Sequence, residues 1–342
     1  MRLTSIDIFS GVGGLTEGLR QAGFYTKVAI EVVDDAVLAF KLNHTTTDVI
    51  KKDIRDITIC EIQSKLNGGP LHLLAGCPPC QGFSSIRRLN KRRSRKDDRN
   101  ALVLEYLRLV KELRPLTIMM ENVPGLKDYY LFKYVVRELK KLGYRPKVEI
   151  VNVKDYGVPQ DRKRLVMVGS LLGDLSISAP IHTKVTVRDV ISDLEPIHTT
   201  TDWVHTVVAN HTPKVLERIR LTPKDGGSRR DLPAEYTLEC HKAKGIGFND
   251  VYGRLRWDDY STTITGGCLN PSKGRFLHPE EDRCITAREA ALLQSFPRNY
   301  KFPKNISKTS IALLIGNALP PKFSYYQSLN IHQHIVEHLG NK

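Results

Sequence analysis

The sequence predicts an α/β protein: a mostly parallel sheet with helices on both faces, interrupted by a smaller, loop-rich insert. Two features of the chain carry that expectation. Up to about residue 178, short apolar runs alternate with helical patterns, and strand–helix–strand repetition builds parallel sheets covered on both sides. From Ala179 to Leu277 the alternation stops, and prolines, glycines, histidines, threonines and basic residues surround short β-like pieces. Regular helix then returns. The expected organisation is residues 1–178 as the main domain, 179–277 as the insert, and 278–342 as a return to the first domain.

The elements follow in order. LTSIDIF (3–9) reads as a strand, and GGLTEGLRQAG (13–23) as a helix stopped by glycine. YTKVAIEV (25–32) is a second strand, followed by helical spacing over 34–43 and a third strand leading into KKDI (51–54). HLLAGC (72–77) is a strand, ALVLEYLRLVKEL (101–113) has apolar residues at helical spacing, and TIMMENV (117–123) is another buried strand. LFKYVVRELKKLG (131–143) is helical, and EIVNV (149–153) and RLVMVGS (164–170) continue the alternation. Within the insert STTITGG (261–267) is β-like, and TAREAALLQSF (286–296) is the helix that follows it. A last helix lies near the C-terminus, with His334 and His338 expected on its surface.

Among the chain's 342 residues, 41% are hydrophobic and 26% charged, the composition of a globular protein. No stretch approaches the roughly 18 uncharged apolar residues of a membrane span, no signal peptide opens the chain, and a cytoplasmic location is expected. Six cysteines (60, 77, 80, 240, 268, 284) are spread too thinly for a disulfide framework, so reduced thiols are expected. Basic residues number 52 against 37 acids, a net charge of +15 that argues for a polyanionic partner. The excess is concentrated: between Gln81 and Arg99 stand eight basic residues (Arg87, Arg88, Lys91, Arg92, Arg93, Arg95, Lys96, Arg99) against two acids. Further clusters fall at Lys214–Arg230 and Lys242–Arg256.

Several groups of residues could carry chemistry. In DIFSGVGGL (7–15) an apolar strand runs into a glycine turn and a helix, where backbone can approach a ligand and free amides point outward. The glycines at 11, 13, 14 and 18 miss the dinucleotide pattern G-x-G-x-x-G, whose last position is Thr16. Glu31 closes the next strand and could accept from the hydroxyls of a ribose, while Asp53 could accept from an adenine amine. GCPPCQGFS (76–84) sets Cys77 and Cys80 at C-x-x-C spacing, which suits a redox dithiol, half a zinc site, or one catalytic thiol with a bystander. Zinc needs a second ligand pair. Cys240-His241 is adjacent in sequence, which is poor geometry, and His334/His338 sit near a terminus. A dithiol usually opens a helix, unlike two prolines leading into a basic run. Cys80 then reads as the reactive thiol and Cys77 as a small buried residue at a strand end, replaceable by Ala or Ser.

Glu121 and Asn122 end the apolar TIMM strand, where a carboxylate is partly desolvated and suited to proton donation near neutral pH. Arg162 and Arg164 in GVPQDRKRL stand two apart entering a strand and should share a face. A nucleophilic thiol, a proton-donating carboxyl and two arginines suit attack on a polarised heteroaromatic ring.

DIFSGVGGL, PPCQGFS, ENV, QDRKR, TAREAALLQSFP and GNALPP stand in the order and spacing of the DNA (cytosine-5)-methyltransferases. The chain resembles that family over nearly its whole length apart from the insert. The resemblance implies a Rossmann-like S-adenosylmethionine-dependent methyltransferase sheet, with the insert at the position of a target recognition domain. It places Phe9, Val12, Gly13 and Gly14 around S-adenosylmethionine, Glu31 on its ribose, and Asp53 and Ile54 at its adenine. Pro79, Leu102 and Asn317 complete that pocket, the product is S-adenosylhomocysteine, and no metal is implied. Cys80 becomes the nucleophile at C6 of a cytosine, Glu121 holds or protonates N3, and Arg162 and Arg164 organise the O2 side.

The partner so implied is double-stranded DNA, with the target base flipped into the pocket. Arg87, Arg88, Arg92, Arg93 and Arg95 would lie in a mobile catalytic loop that closes on the DNA backbone, the blander reading being a solvated tail. Thr263 would contact a phosphate. Family analogy adds a restriction-modification role, a restriction endonuclease as functional partner, a monomer, and association with the nucleoid when DNA is bound. Gly82 after Cys80-Gln81 is a common variant, and Ala318 stands where a serine is frequent. Two other readings remain open: a tRNA cytosine-5 methyltransferase of the same fold, and a non-catalytic DNA-binding regulator. The intact Cys80, Glu121 and cofactor motifs speak against the second. Trp203 and Trp257 are left without a role.

Overall fold

The computed structural model describes residues 2–66, 68–79, 101–239 and 250–340; Cys80, the basic run of 87–99 and Cys240-His241 lie outside them. The contacts divide the chain into two compact units. One comprises residues 1–156, 163–181 and 319–342; the other comprises 157–162 and 182–318.

The first unit is built on a seven-stranded sheet of order β3-β2-β1-β4-β5-β7-β6. Its strands are β1 (Thr4–Ile8), β2 (Tyr25–Glu31), β3 (Asp48–Lys51), β4 (Leu73–Gly76), β5 (Thr117–Asn122), β6 (Lys147–Asn152) and β7 (Lys163–Ser170). The helices between them are α1 (Gly14–Gln21), α2 (Asp34–Asn43), α3 (Ile59–Leu66), α4 (Leu102–Leu113) and α5 (Tyr130–Lys141). From β3 to β5 every neighbouring pair is parallel, as expected, and β7 runs antiparallel to both β5 and β6. The reversal follows from chain length. A parallel neighbour needs a crossover of about a dozen residues or more, and the β6–β7 connection holds only the short 3₁₀ turn Val153–Tyr156 and a loop.

Alternation decides what each sheet face meets. Ile6, Ile8, Leu74, Ile118, Met120 and Met167 join one buried cluster with Ile62 of α3, Tyr106 of α4 and Val135 of α5. The other face carries α1 and the C-terminal helix Pro321–Gly340. There Gly18 is required: a Cβ at that position would lie 2.4 Å from the Cβ of Ser324. The Ser324 hydroxyl donates to the Leu15 carbonyl at 2.9 Å. His334 is a correction to the expected surface histidine pair. It is buried against the sheet with Nε2 2.8 Å from the Ser170 hydroxyl, and only His338 lies outside.

Strand order reverses between β1 and β4, so the loops leaving these two strands meet at a topological switch point, the usual ligand position in such sheets. Gly76 permits the approach, because a Cβ there would sit 2.7 Å from the Ile8 carbonyl oxygen.

The second unit contains helices Val187–Ile191, Pro213–Leu221, Ala287–Leu293 and Lys308–Asn317, with isolated bridges but no named strand among the described residues. STTITGG is therefore not a strand. Its backbone amides are taken singly: Ser261 N–H donates to the Pro159 carbonyl at 3.0 Å and Ile264 N–H to the Gln160 side-chain oxygen at 2.9 Å. Buried polar side chains replace a sheet as the organiser. Arg254, fully buried, donates to the carbonyls of Ile219, Thr222, His278 and Glu281 and to the Asp282 carboxylate. Gln160 Nε2 donates to Gln294 Oε1 at 2.8 Å, and Gln294 Nε2 to the Ile315 carbonyl at 2.7 Å. Trp257 belongs to this interior, its indole N–H donating to Glu280 at 2.7 Å. The compact unit runs past Leu277, where the insert was expected to end, to Ala318.

Candidate active site

The glycine turn after β1 is locked by the acid at the end of β2. Glu31 Oε2 accepts from Gly11 N–H at 2.8 Å, and Oε1 accepts from the N–H groups of Val32 and Val33 at 2.8 and 2.9 Å. Phe9 (φ 59°), Gly11 (φ 55°) and Gly13 (φ 94°) all take left-handed backbone, which for Phe9 is strained. Val12 is buried, Gly13 caps α1, and Gly14 is its first residue. Val32 and Val33 stand more than half exposed beside this turn.

Asp7 lies beneath the turn, fully buried on β1. Its Oδ2 accepts from the Thr16 hydroxyl of α1 at 2.6 Å, and its Oδ1 has no hydrogen-bond partner. Burial raises its pKa to about 7 against the pull of the Thr16 hydroxyl, and repulsion from Glu31 adds to the rise. A carboxyl group under the first turn of α1 disfavours a phosphate there. A carboxylate ending β2, an apolar pair beside it and an acid where a dinucleotide site would bind phosphate fit a nucleoside cofactor with a cationic centre.

Asp53 and Ile54 follow β3. Arg55 grips both oxygens of Asp53, its Nε at 2.9 Å and its Nη2 at 2.6 Å, and these bonds hold the Asp53 pKa near 2. Ile54 is buried, and its carbonyl accepts at 2.8 Å from Arg108 of α4, the helix that Leu102 opens. The Asp53–Ile54 turn and Leu102 are thus tied into one wall.

A second group lies across the ends of β4, β5 and β7. Arg164 Nε is 2.7 Å from Glu121 Oε1, with side chains 13% and 9% exposed. The next residue, Asn122, donates its side-chain amide to the Pro78 carbonyl at 2.7 Å, which fixes the Cys77-Pro78-Pro79 turn to β5. Parallel register pairs Gly76 with Met120, and its continuation brings Cys77 beside Glu121 on the same face. Cys77 is half-buried, and desolvation, then the charges of Glu121 and Asp7, push its thiol pKa well above the ordinary range. Cys77 is therefore a neutral thiol and not a nucleophile. Among the described residues no group of three or more His, Cys, Asp or Glu is arranged to hold a metal.

Arg162 and Arg164, expected to share a face, serve different partners. Arg162 is buried in the second unit and donates to the carbonyls of Ile264 at 2.8 Å, Gly316 at 3.2 Å and Ala318 at 3.4 Å. It therefore fastens the two backbone stretches that carry Thr263 and Asn317. Thr263 itself donates its hydroxyl to the Asp161 carbonyl at 2.8 Å, and Asn317 ends its helix in that unit.

Residues 3–331 match the family described as C-5 cytosine-specific DNA methylase. The chain belongs to this family. It is 38% identical to the Type II methylase M.HgiDII of Herpetosiphon aurantiacus, over 92% of this chain and 91% of that one. It is 30% identical to the Type II methyltransferase M1.HphI of Haemophilus parahaemolyticus, over 94% of this chain and 84% of the relative. A prophage-encoded E. coli protein described as a DNA modification methyltransferase superposes with a TM-score of 0.75 at 25% identity, covering 97% of this chain and 99% of its own. The methylase is thus a DNA cytosine-5 methyltransferase with the S-adenosylmethionine-dependent fold.

Within the methylase, sequence reasoning passed over four polar residues. Asp7 had a signal, a carboxylate in the apolar run SIDIF, where alternation puts it inside. Cys77 was read as packing, because its place beside Glu121 is set by strand register. Gln160 and Gln294 join the QDRKR and LQSFP motifs by a direct amide bond. Nothing local in either stretch announces that pairing.

Proposed function

We propose that this methylase modifies one cytosine within a specific duplex DNA sequence, as the modification partner of a restriction endonuclease. Cys80 is the nucleophile: its thiolate adds to C6 of a flipped cytosine, C5 becomes electron-rich, and after the C5 proton leaves, the thiolate is eliminated. S-adenosylmethionine, as the family's methyl donor, supplies the methyl group from a sulfonium centre. Glu31 and the Phe9–Gly14 turn hold its nucleoside, with Asp53, Ile54, Pro79 and Leu102 around the adenine. Glu121 holds or protonates N3, and Arg164 both orients Glu121 and faces the O2 side. Arg162 acts on backbone and keeps the GNALPP turn in place.

The observation that carries this reading is the Glu121–Arg164 pair, 2.7 Å apart beside the Cys77-Pro78-Pro79 turn that precedes Cys80 in the sequence. The second unit supplies the DNA-reading surface with its basic clusters, and Arg87, Arg88, Arg92, Arg93 and Arg95 neutralise phosphates. The protein acts as a monomer. The test is expression in a methylation-free host followed by bisulfite sequencing. One recurrent motif with a methylated cytosine supports the reading. Labelled methyl appearing in tRNA, with none in DNA, overturns it.

A further inference from the structure

Five polar side chains share one face at the carboxyl end of the sheet, the face that carries α1. Alternation and register set Glu31 of β2, Cys77 after β4 and Glu121 of β5 at one level, with Asp7 of β1 one step further in, opposite Ala29 and Ala75, and Arg164 of β7 one step further out. Cys77 stands in the middle. On one side lies Asp7, with an unpartnered oxygen and the nucleoside turn beyond it; on the other lies Glu121 with its arginine. The backbone around Cys77 is pinned twice. Its N–H donates to the Ile8 carbonyl at 3.3 Å, and the following Pro78 carbonyl takes the Asn122 amide at 2.7 Å.

We propose that Cys77 is a positioning residue for Glu121, holding the carboxylate by an S–H hydrogen bond from the β4 side while Arg164 holds it from the β7 side. This rests on the reading of Glu121 as the group that meets cytosine N3. A carboxylate gripped by Arg164 alone can still turn about its last side-chain bond. A second donor across from the arginine removes that freedom and fixes the direction in which the group meets the base. A cysteine suits the place because a half-buried thiol between two carboxyl groups keeps its proton. It remains a donor and adds no further negative charge beside Glu31, Asp7 and Glu121. The same property separates it from Cys80 of the C-x-x-C pair, whose task requires a thiolate.

The test compares Cys77→Ser, Cys77→Ala and Cys77→Val in the full-length protein, measuring kcat, KM for duplex DNA and S-adenosylmethionine, and the melting temperature. Serine keeps a donor, alanine and valine do not, and valine keeps the volume. The expected result is a kcat within about two-fold of wild type for Ser and roughly ten-fold lower for Ala and Val, with both KM values unchanged. A packing role reverses that order, since a hydroxyl at an apolar packing position is the worst of the three. Equal turnover in all three variants, or Ala better than Ser, overturns the proposal. So does an effect confined to KM for S-adenosylmethionine, which would assign Cys77 to the cofactor side. Glu121→Gln is measured in parallel. If it keeps full turnover, the reading of Glu121 itself fails, whereas an inactive Glu121→Gln beside an unaffected Cys77→Ala sinks only the role of Cys77.

Discussion

The two compact units treat buried charge in opposite ways. In the second, Arg254 spends its donors on four backbone carbonyls and one carboxylate, so its guanidinium is consumed in holding chain to chain, and Arg162 donates to three more carbonyls. In the first, the charged groups at the strand ends are left chemically unfinished. Asp7 keeps an oxygen without a partner, and Glu121 and Arg164 neutralise each other at a rim where a ligand can intervene. A well-satisfied buried charge does the work of a missing sheet, and an under-satisfied one marks a place where something else is meant to bind. The second unit needs its arginines because, among its described residues, it has only isolated bridges to order its loops.

The contrast can be broken by substitution on each side. The largest effect is expected at Cys80→Ala, which should abolish methyl transfer and covalent trapping on 5-fluorocytosine DNA while S-adenosylmethionine binding persists. Any retained turnover refutes the nucleophile assignment. Glu121→Gln should lower kcat by roughly 100-fold or more, the range of a lost acid–base group, and by far more than its melting temperature explains. Arg254→Met should do the reverse. It removes a buried donor from four carbonyls and from the Asp282 carboxylate, so urea unfolding should show a loss of about 3–5 kcal/mol, while the folded fraction turns over normally. If Arg254→Met reduced kcat at full folding, the division between holding and acting would not stand.

The sheet was legible in the sequence because each strand there is a short apolar run, and buried parallel strands are made of such runs. Helix α3 escaped because Ile59, Ile62 and Leu66 give only a sparse apolar stripe in a polar stretch. Of the site, Glu31 and Glu121 could be found as acids ending apolar strands. What they touch could not. The Gly11 amide, Arg164 and Cys77 reach these acids through strand pairings between distant segments, and register is a property of the folded sheet. Arg162 and Arg164 show the limit most plainly. They are two residues apart and similar in sequence, yet one is drawn to carbonyls and the other to a carboxylate by partners that lie far along the chain. STTITGG misled for the opposite reason: its local pattern is that of a strand, but a glutamine side chain and a proline carbonyl took its amides first.

The smallest expected effect tests the unfinished side of the contrast most directly. Asp7 has a folded pKa of about 7, above its ordinary value of 3.8. Between those values the folded protein binds more protons at this group than the unfolded chain does. The stability contribution of Asp7 is therefore fully present below about pH 4 and is lost as pH rises through about 7. Asp7→Asn cannot titrate, yet its side-chain oxygen can still accept from the Thr16 hydroxyl. The melting temperature of wild type minus that of the variant should fall steadily across this window and level off above it. Other titrating groups are common to both proteins and cancel in the difference. A flat difference curve would mean that Asp7 is as well satisfied as Arg254 and belongs to the scaffold rather than to a poised part of the site.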